Sequence, residues 1–178
     1  IGLLRQFFFE RSLPETRQHV EGVCQALARA GACVEEARLP DSFQSALDAQ
    51  SALQGVESAV AHRDTYPKHR EKYGHKVVEQ LEGGLRASGV TYAEAKQLQS
   101  RFASEVHAAL ARFDVLLTPA VAGAAPRDLT ITGDPLFQRA WTYAGVPSLA
   151  LPSGADRDGM PLAVQLIARK LGEGRLLA

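Results

Sequence analysis

"IGLLRQFFFERSLPETRQHVEGVCQALARAGACVEEARLP", residues 1–40, is the stretch that decides the fold class. Its opening apolar run, residues 1–9, is rich in β-formers and reads as a buried strand. Ser12 then stands as a helix N-cap, with Pro14 in the first turn and Glu15 three residues on, the pattern of a capping box. Val20, Val23, Cys24, Leu27 and Ala30 recur at helical spacing, and Gly31 suits the left-handed residue just past a helix end. A second strand begins near Cys33. Strand, helix and strand of these lengths make a parallel β-α-β unit, so the segment predicts an α/β fold.

Downstream, Phe43, Leu47, Leu53, Val56 and Val60 predict another helix, broken at Tyr66-Pro67 because the residue before proline avoids the helical region. "HRDTYPKHREKYGHK", residues 62–76, reads as a solvated connection. The spacing of His62, His69 and His75 matches no zinc-ligand pattern, so neither a metal nor another cofactor is expected. Thr91 and Glu94 form a second capping box, ahead of an apolar stripe of Ala95, Leu98, Phe102, Val106 and Ala109. Val115 to Leu117 read as a buried strand stopped by Pro119. The loop "AVAGAAP" that follows occupies the carboxyl end of that strand, where α/β proteins place ligand sites. "PSLALP" and "LAVQLIA" predict two antiparallel strands turned by "GADRDG". With no internal repeat and no Pro-, Gly- or Ser-rich linker, residues 1–178 are expected to form a single domain.

The 20 basic and 20 acidic side chains cancel, so no basic face points to direct nucleic-acid binding. No apolar stretch approaches the roughly 20 residues that span a bilayer, and no membrane partner is expected. Cys24 and Cys33 lack a C-x-x-C pairing or histidine partners and read as reduced thiols of a cytoplasmic protein. The chain opens on Ile1 inside an apolar run, and its one methionine is Met160, which reads as a piece of a longer polypeptide.

No G-x-S-x-G elbow, P-loop or G-x-G-x-x-G appears. Ser153, in "PSGAD", is the nearest approach to a nucleophile loop and reads as a hairpin-turn residue. From its residues alone the chain is an α/β domain without a visible catalytic centre.

"FDVLLTPAV", followed by Gly145-Val146-Pro147, Gly159-Met160-Pro161 and Gln165-Leu166-Ile167, resembles the C-terminal part of amidase-signature hydrolases. Residues 1–40 resemble the stretch that follows the signature region of that family, which includes general amidases and a component of glutamyl-tRNA amidotransferase. The resemblance implies a mixed sheet flanked by helices, and hydrolysis of a carboxamide through an acyl-serine. It also implies that the Ser, Ser and Lys of that chemistry lie upstream, so no catalytic residue is carried over and the fragment alone is expected to be inactive. Its implied partners are a small-molecule amide and the upstream half of the same polypeptide. Arg101, in about the helix where glutamine-using relatives pair an arginine with a substrate carboxylate, is one implied substrate contact. Asp134, placed to meet a substrate amine, and Trp141 with Thr142, at a turn that often carries Asn in relatives, are the others. Gln165 reads as a structural polar group in an apolar strand. Two other readings are a stand-alone non-catalytic module or degenerate paralogue, and an unrelated ligand-binding domain with its site at the Gly123 loop.

Overall fold

The computed structural model describes residues 1–128, 130 and 133–177. It divides into two compact units: Ile1–Pro40 with Ala103–Ala178, and Asp41–Phe102. The first holds a five-stranded sheet in the order β2 (Glu35–Glu36), β1 (Gly2–Leu3), β3 (Leu116–Pro119), β5 (Pro161–Ile167), β4 (Ser148–Ala155).

The β-α-β unit of residues 1–40 is present, with shorter strands than the sequence predicts. β1 spans only Gly2–Leu3 and β2 Glu35–Glu36, and the two pair in parallel. The apolar run does not continue as a strand. Phe7 takes φ 64° and ψ −53°, the centre of a strained γ-turn closed by Phe8 N–H to Gln6 O (2.7 Å), and turns the chain into helix α1, Phe8–Arg11. This bend brings Phe8 into the core instead of extending the sheet.

Helix α2, Pro14–Arg29, starts with Leu13 at its N-cap, and no side chain caps it. The expected capping box is absent because both partners are used elsewhere. Ser12 Oγ donates to Phe8 O (2.7 Å), and Glu15 Oε1 accepts from Arg157 N–H (2.9 Å). Gly31 ends the helix at φ 99°. Val20 and Cys24 turn inward from α2 onto Leu3, Leu117 and Val164.

β3, Leu116–Pro119, lies parallel to β1 and antiparallel to β5, Pro161–Ile167. β5 pairs in turn with β4, Ser148–Ala155, as the expected hairpin. β4 is the sheet edge and is largely exposed. Gln165, 2% exposed, donates to Ser148 Oγ at 3.2 Å, which accounts for a polar side chain in an otherwise apolar strand. Helix α7, Leu136–Ala144, packs Phe137 and Trp141 around Phe8.

The second unit is helical. It contains α3 (Phe43–Ala61), α4 (Tyr66–His69) and α5 (His75–Arg86), together with most of α6 (Gly89–Leu110). α6 begins two residues before Thr91, whose N–H is capped by Ser88 Oγ at 3.0 Å in place of the predicted box. The 62–76 stretch is ordered by side chains. His62 Nδ1 and Thr65 Oγ1 both bond the Tyr73 hydroxyl, and Tyr66 and Arg70 converge on Glu82. The last helix, α8, spans Glu173–Leu176 in the first unit.

Candidate functional site

The loop after β3 is held in place from two sides. Ala122 O accepts from Leu13 N–H (2.7 Å), and the Gln138 side-chain amide on α7 donates to Ala120 O. Leu13 lies so close to Gly123 that a Cβ there would stand 2.6 Å from Leu13 Cδ1. The α1–α2 corner and α7 therefore press against a loop with almost no side chains of its own, leaving a cavity of about 300 Å³. Among the described residues its lining is Arg11, Ala122, Asp134, Leu136 and Phe137. This is the carboxyl end of a sheet strand, the place where α/β proteins bind ligands, and the volume suits a small molecule.

Two charges of opposite sign meet an apolar floor there. The Arg11 guanidinium lies 4.0 Å from the centroid of the Phe7 ring, with Glu10 as a looser neighbour at 3.6 Å. A ring face under a cation holds it electrostatically and limits its rotamers. The γ-turn at Phe7 thus places Arg11 at the cavity, an instance of backbone strain beside a ligand-sized space. Asp134 Oδ1 accepts from Leu136 N–H (2.9 Å), an interaction that orients the carboxylate at the start of α7.

The residues singled out in the sequence fall in different surroundings. Asp134 lines the cavity. Trp141 is 1% exposed and stacks on Phe8 at 5.9 Å with 12° between the rings. Its indole N–H finds no acceptor among the described residues. Thr142 is exposed, and its hydroxyl donates back to Gln138 O at 3.2 Å within α7. Arg101 projects from α6 in the second unit and is exposed. Arg11 was missed because it follows three phenylalanines in a run that reads as a strand, and nothing local signals the turn at Phe7.

Among the described lining residues there is no hydroxyl, thiol, lysine or histidine. Asp134 is the carboxylate among them, and the remaining described lining residues carry no nucleophile or base. No three His, Cys, Asp or Glu side chains gather as a metal site among the described residues, and no described helix is long and apolar enough to cross a membrane.

The Amidase family model matches residues 1–177. A putative amidase AmiD of Mycobacterium bovis is 30% identical over 132 residues, covering 68% of this chain and 28% of that protein. A glutamyl-tRNA(Gln) amidotransferase component of Koribacter versatilis is 26% identical, over 99% of this chain and 43% of the relative. A crystal structure of an amidase superposes with TM-score 0.86 at 25% identity, over 100% of this chain and 43% of its own. The peptide amidase of Stenotrophomonas maltophilia has the same fold, with TM-score 0.76 at 24% identity over 99% of this chain and 40% of that one. The chain thus spans less than half the length of these relatives.

Proposed function

The chain belongs to the amidase family, and on that premise we propose that it is the C-terminal portion of an enzyme that hydrolyses a carboxamide C–N bond through an acyl-serine intermediate. The nucleophilic Ser, its Ser partner and the Lys base are assigned to the upstream half of the same polypeptide. The observation that carries this reading is the composition of the cavity: charges and an apolar floor for a substrate, with no hydroxyl, thiol, lysine or histidine in its described lining. The share of each relative that the chain covers, from 28% to 43% in the curated proteins, agrees with it.

In this reading the sheet unit forms one side of the substrate pocket. Asp134 meets a positively polarised part of the amide, while Leu136 and Phe137 take its carbon skeleton. Trp141 acts from behind by fixing Phe8 and Phe137. Arg101 and Thr142 remain proposed contacts from exposed helix positions. The open edge of β4 from Ser148 to Leu151 offers its unpaired backbone groups to a strand of the upstream half.

Ammonia release from a panel of small primary amides tests the proposal, comparing the purified 178-residue chain with the full polypeptide. The chain alone should release none, and the full polypeptide should turn over at least one amide. In the latter, Asp134→Ala should raise KM with little change in kcat. Turnover by the chain alone would overturn the assignment of the chemistry to upstream residues.

A further inference from the structure

Ser153 does not sit in the hairpin turn. It belongs to β4, where the register passes from Pro152↔Ala163 to Gly154↔Leu162 and leaves Ser153 as the extra residue of a bulge. A bulge re-aims the side chain it carries, and bulges are common beside active sites. Here Ser153 Oγ is turned to His19 on α2, 2.8 Å from its Nε2, although the two residues lie 134 positions apart in the chain. Gly154 is required for the approach, since a Cβ there would lie 2.5 Å from His19 Cε1. Glu15, one turn before His19, ties the same corner of α2 to the hairpin through Arg157 N–H. Ser153 is exposed and His19 half-buried, so a small molecule reaches the hydroxyl.

The geometry points to Ser153 and His19 as a second nucleophile–base pair, separate from the cavity after β3, that accepts an acyl group from small activated carboxylic esters. Nε2 takes the acceptor role and Nδ1 carries the ring proton. The Ser153 oxygen bonds to the ester carbonyl carbon as its proton passes to Nε2. Collapse of the tetrahedral adduct breaks the ester C–O bond, and the departing alkoxide or phenolate takes that proton from His19. The products are acyl-Ser153 and a free alcohol or phenol, with no oxidant, metal or upstream residue needed. Pro152 has no N–H and the bulge interrupts the ladder, so a strand pairing along Ser148 to Leu151 would stop short of Ser153.

Treatment of the 178-residue chain with p-nitrophenyl acetate, with release of the phenol timed and acetylated peptides mapped by mass spectrometry, tests the pair. Ser153 should be acetylated faster than any other exposed serine of the chain, and Ser153→Ala should remove that phase. His19→Gln and Gly154→Ala should each slow it by about a hundredfold, the loss expected when a general base is removed or displaced. Far-UV circular dichroism of each variant reports its folding. Acetylation of Ser153 no faster than that of the other exposed serines in the unaltered chain would overturn the proposal without reference to any variant. An unchanged rate in a folded His19→Gln variant would overturn it equally. The assay contains no amide, so its failure leaves the proposed amide chemistry untouched.

Discussion

Within each of the two units the elements meet differently. In the sheet unit, Leu3, Val20, Leu117 and Val164 bury their side chains against one another beneath α2. In the helical unit, α3 and α5 meet where side chains are missing: a Cβ on Gly84 would run into the Gly55 carbonyl, and the two backbones touch there. Polar groups then close its exposed end through Tyr73, Tyr66 and Glu82. Both units bury apolar side chains, Phe43, Leu47, Leu53, Leu81 and Phe102 in the helical one, which adds a close backbone approach and a hydrogen-bonded rim. Substitutions that create cavities should therefore injure the unit that holds them, and substitutions that add atoms should injure the α3–α5 contact most.

The largest expected effect is Leu117→Ala. This side chain is fully buried in a central strand, so its truncation should cost about 3–4 kcal/mol of stability, combining lost transfer energy and a residual cavity. Hydrogen exchange should accelerate in β1, β3 and β5 and leave α3 and α5 unchanged. Equal acceleration in both units would remove the distinction between them.

Gly84→Ala comes next. Alanine is the better helix former by about 1 kcal/mol, so propensity alone predicts stabilisation. The contact with the Gly55 backbone opposes it, and because neither backbone has a flexible end to move, overpacking should win with a net loss of about 2 kcal/mol. Thermal unfolding measures the sign, and a raised melting temperature would show that the helices separate at little cost.

The smallest effect is a pH dependence of the polar rim. Hydrogen bonds from Arg70, then from Tyr66, hold the Glu82 carboxyl below the usual glutamate value. The native state therefore keeps this charge where the unfolded chain takes up a proton. The resulting stability is present above the ordinary glutamate range and is lost as pH falls through the lowered native value. Glu82→Gln should flatten that part of the melting-temperature profile, and an identical profile in the variant would show that the rim carries no such linkage.

Periodic elements were legible in both units, α3 among them. Helix α2 and the β4–β5 hairpin were readable because burial imposes a period of 3.6 or 2 on residues near in sequence. The rim around Tyr73 read as a solvated connection, since its charged and hydroxylated residues become partners only once the chain has folded back. At the candidate site, Asp134 came from a family resemblance, whereas Arg11 was hidden behind a strand-like run that the Phe7 turn interrupts.

By itself the sequence determined the α/β class, the parallel crossover of residues 1–40, the C-terminal hairpin and the family to which they belong. Local apolar spacing and short motifs carry all of these without reference to distant residues. Tertiary structure alone decided that Phe7 bends the first strand into a helix, that Arg11 and Asp134 share one cavity, and that Ser153 faces His19. The reason is physical: a contact between residues far apart in the chain depends on strand register, bulges and glycine clearances, and no local pattern encodes where those bring two side chains together.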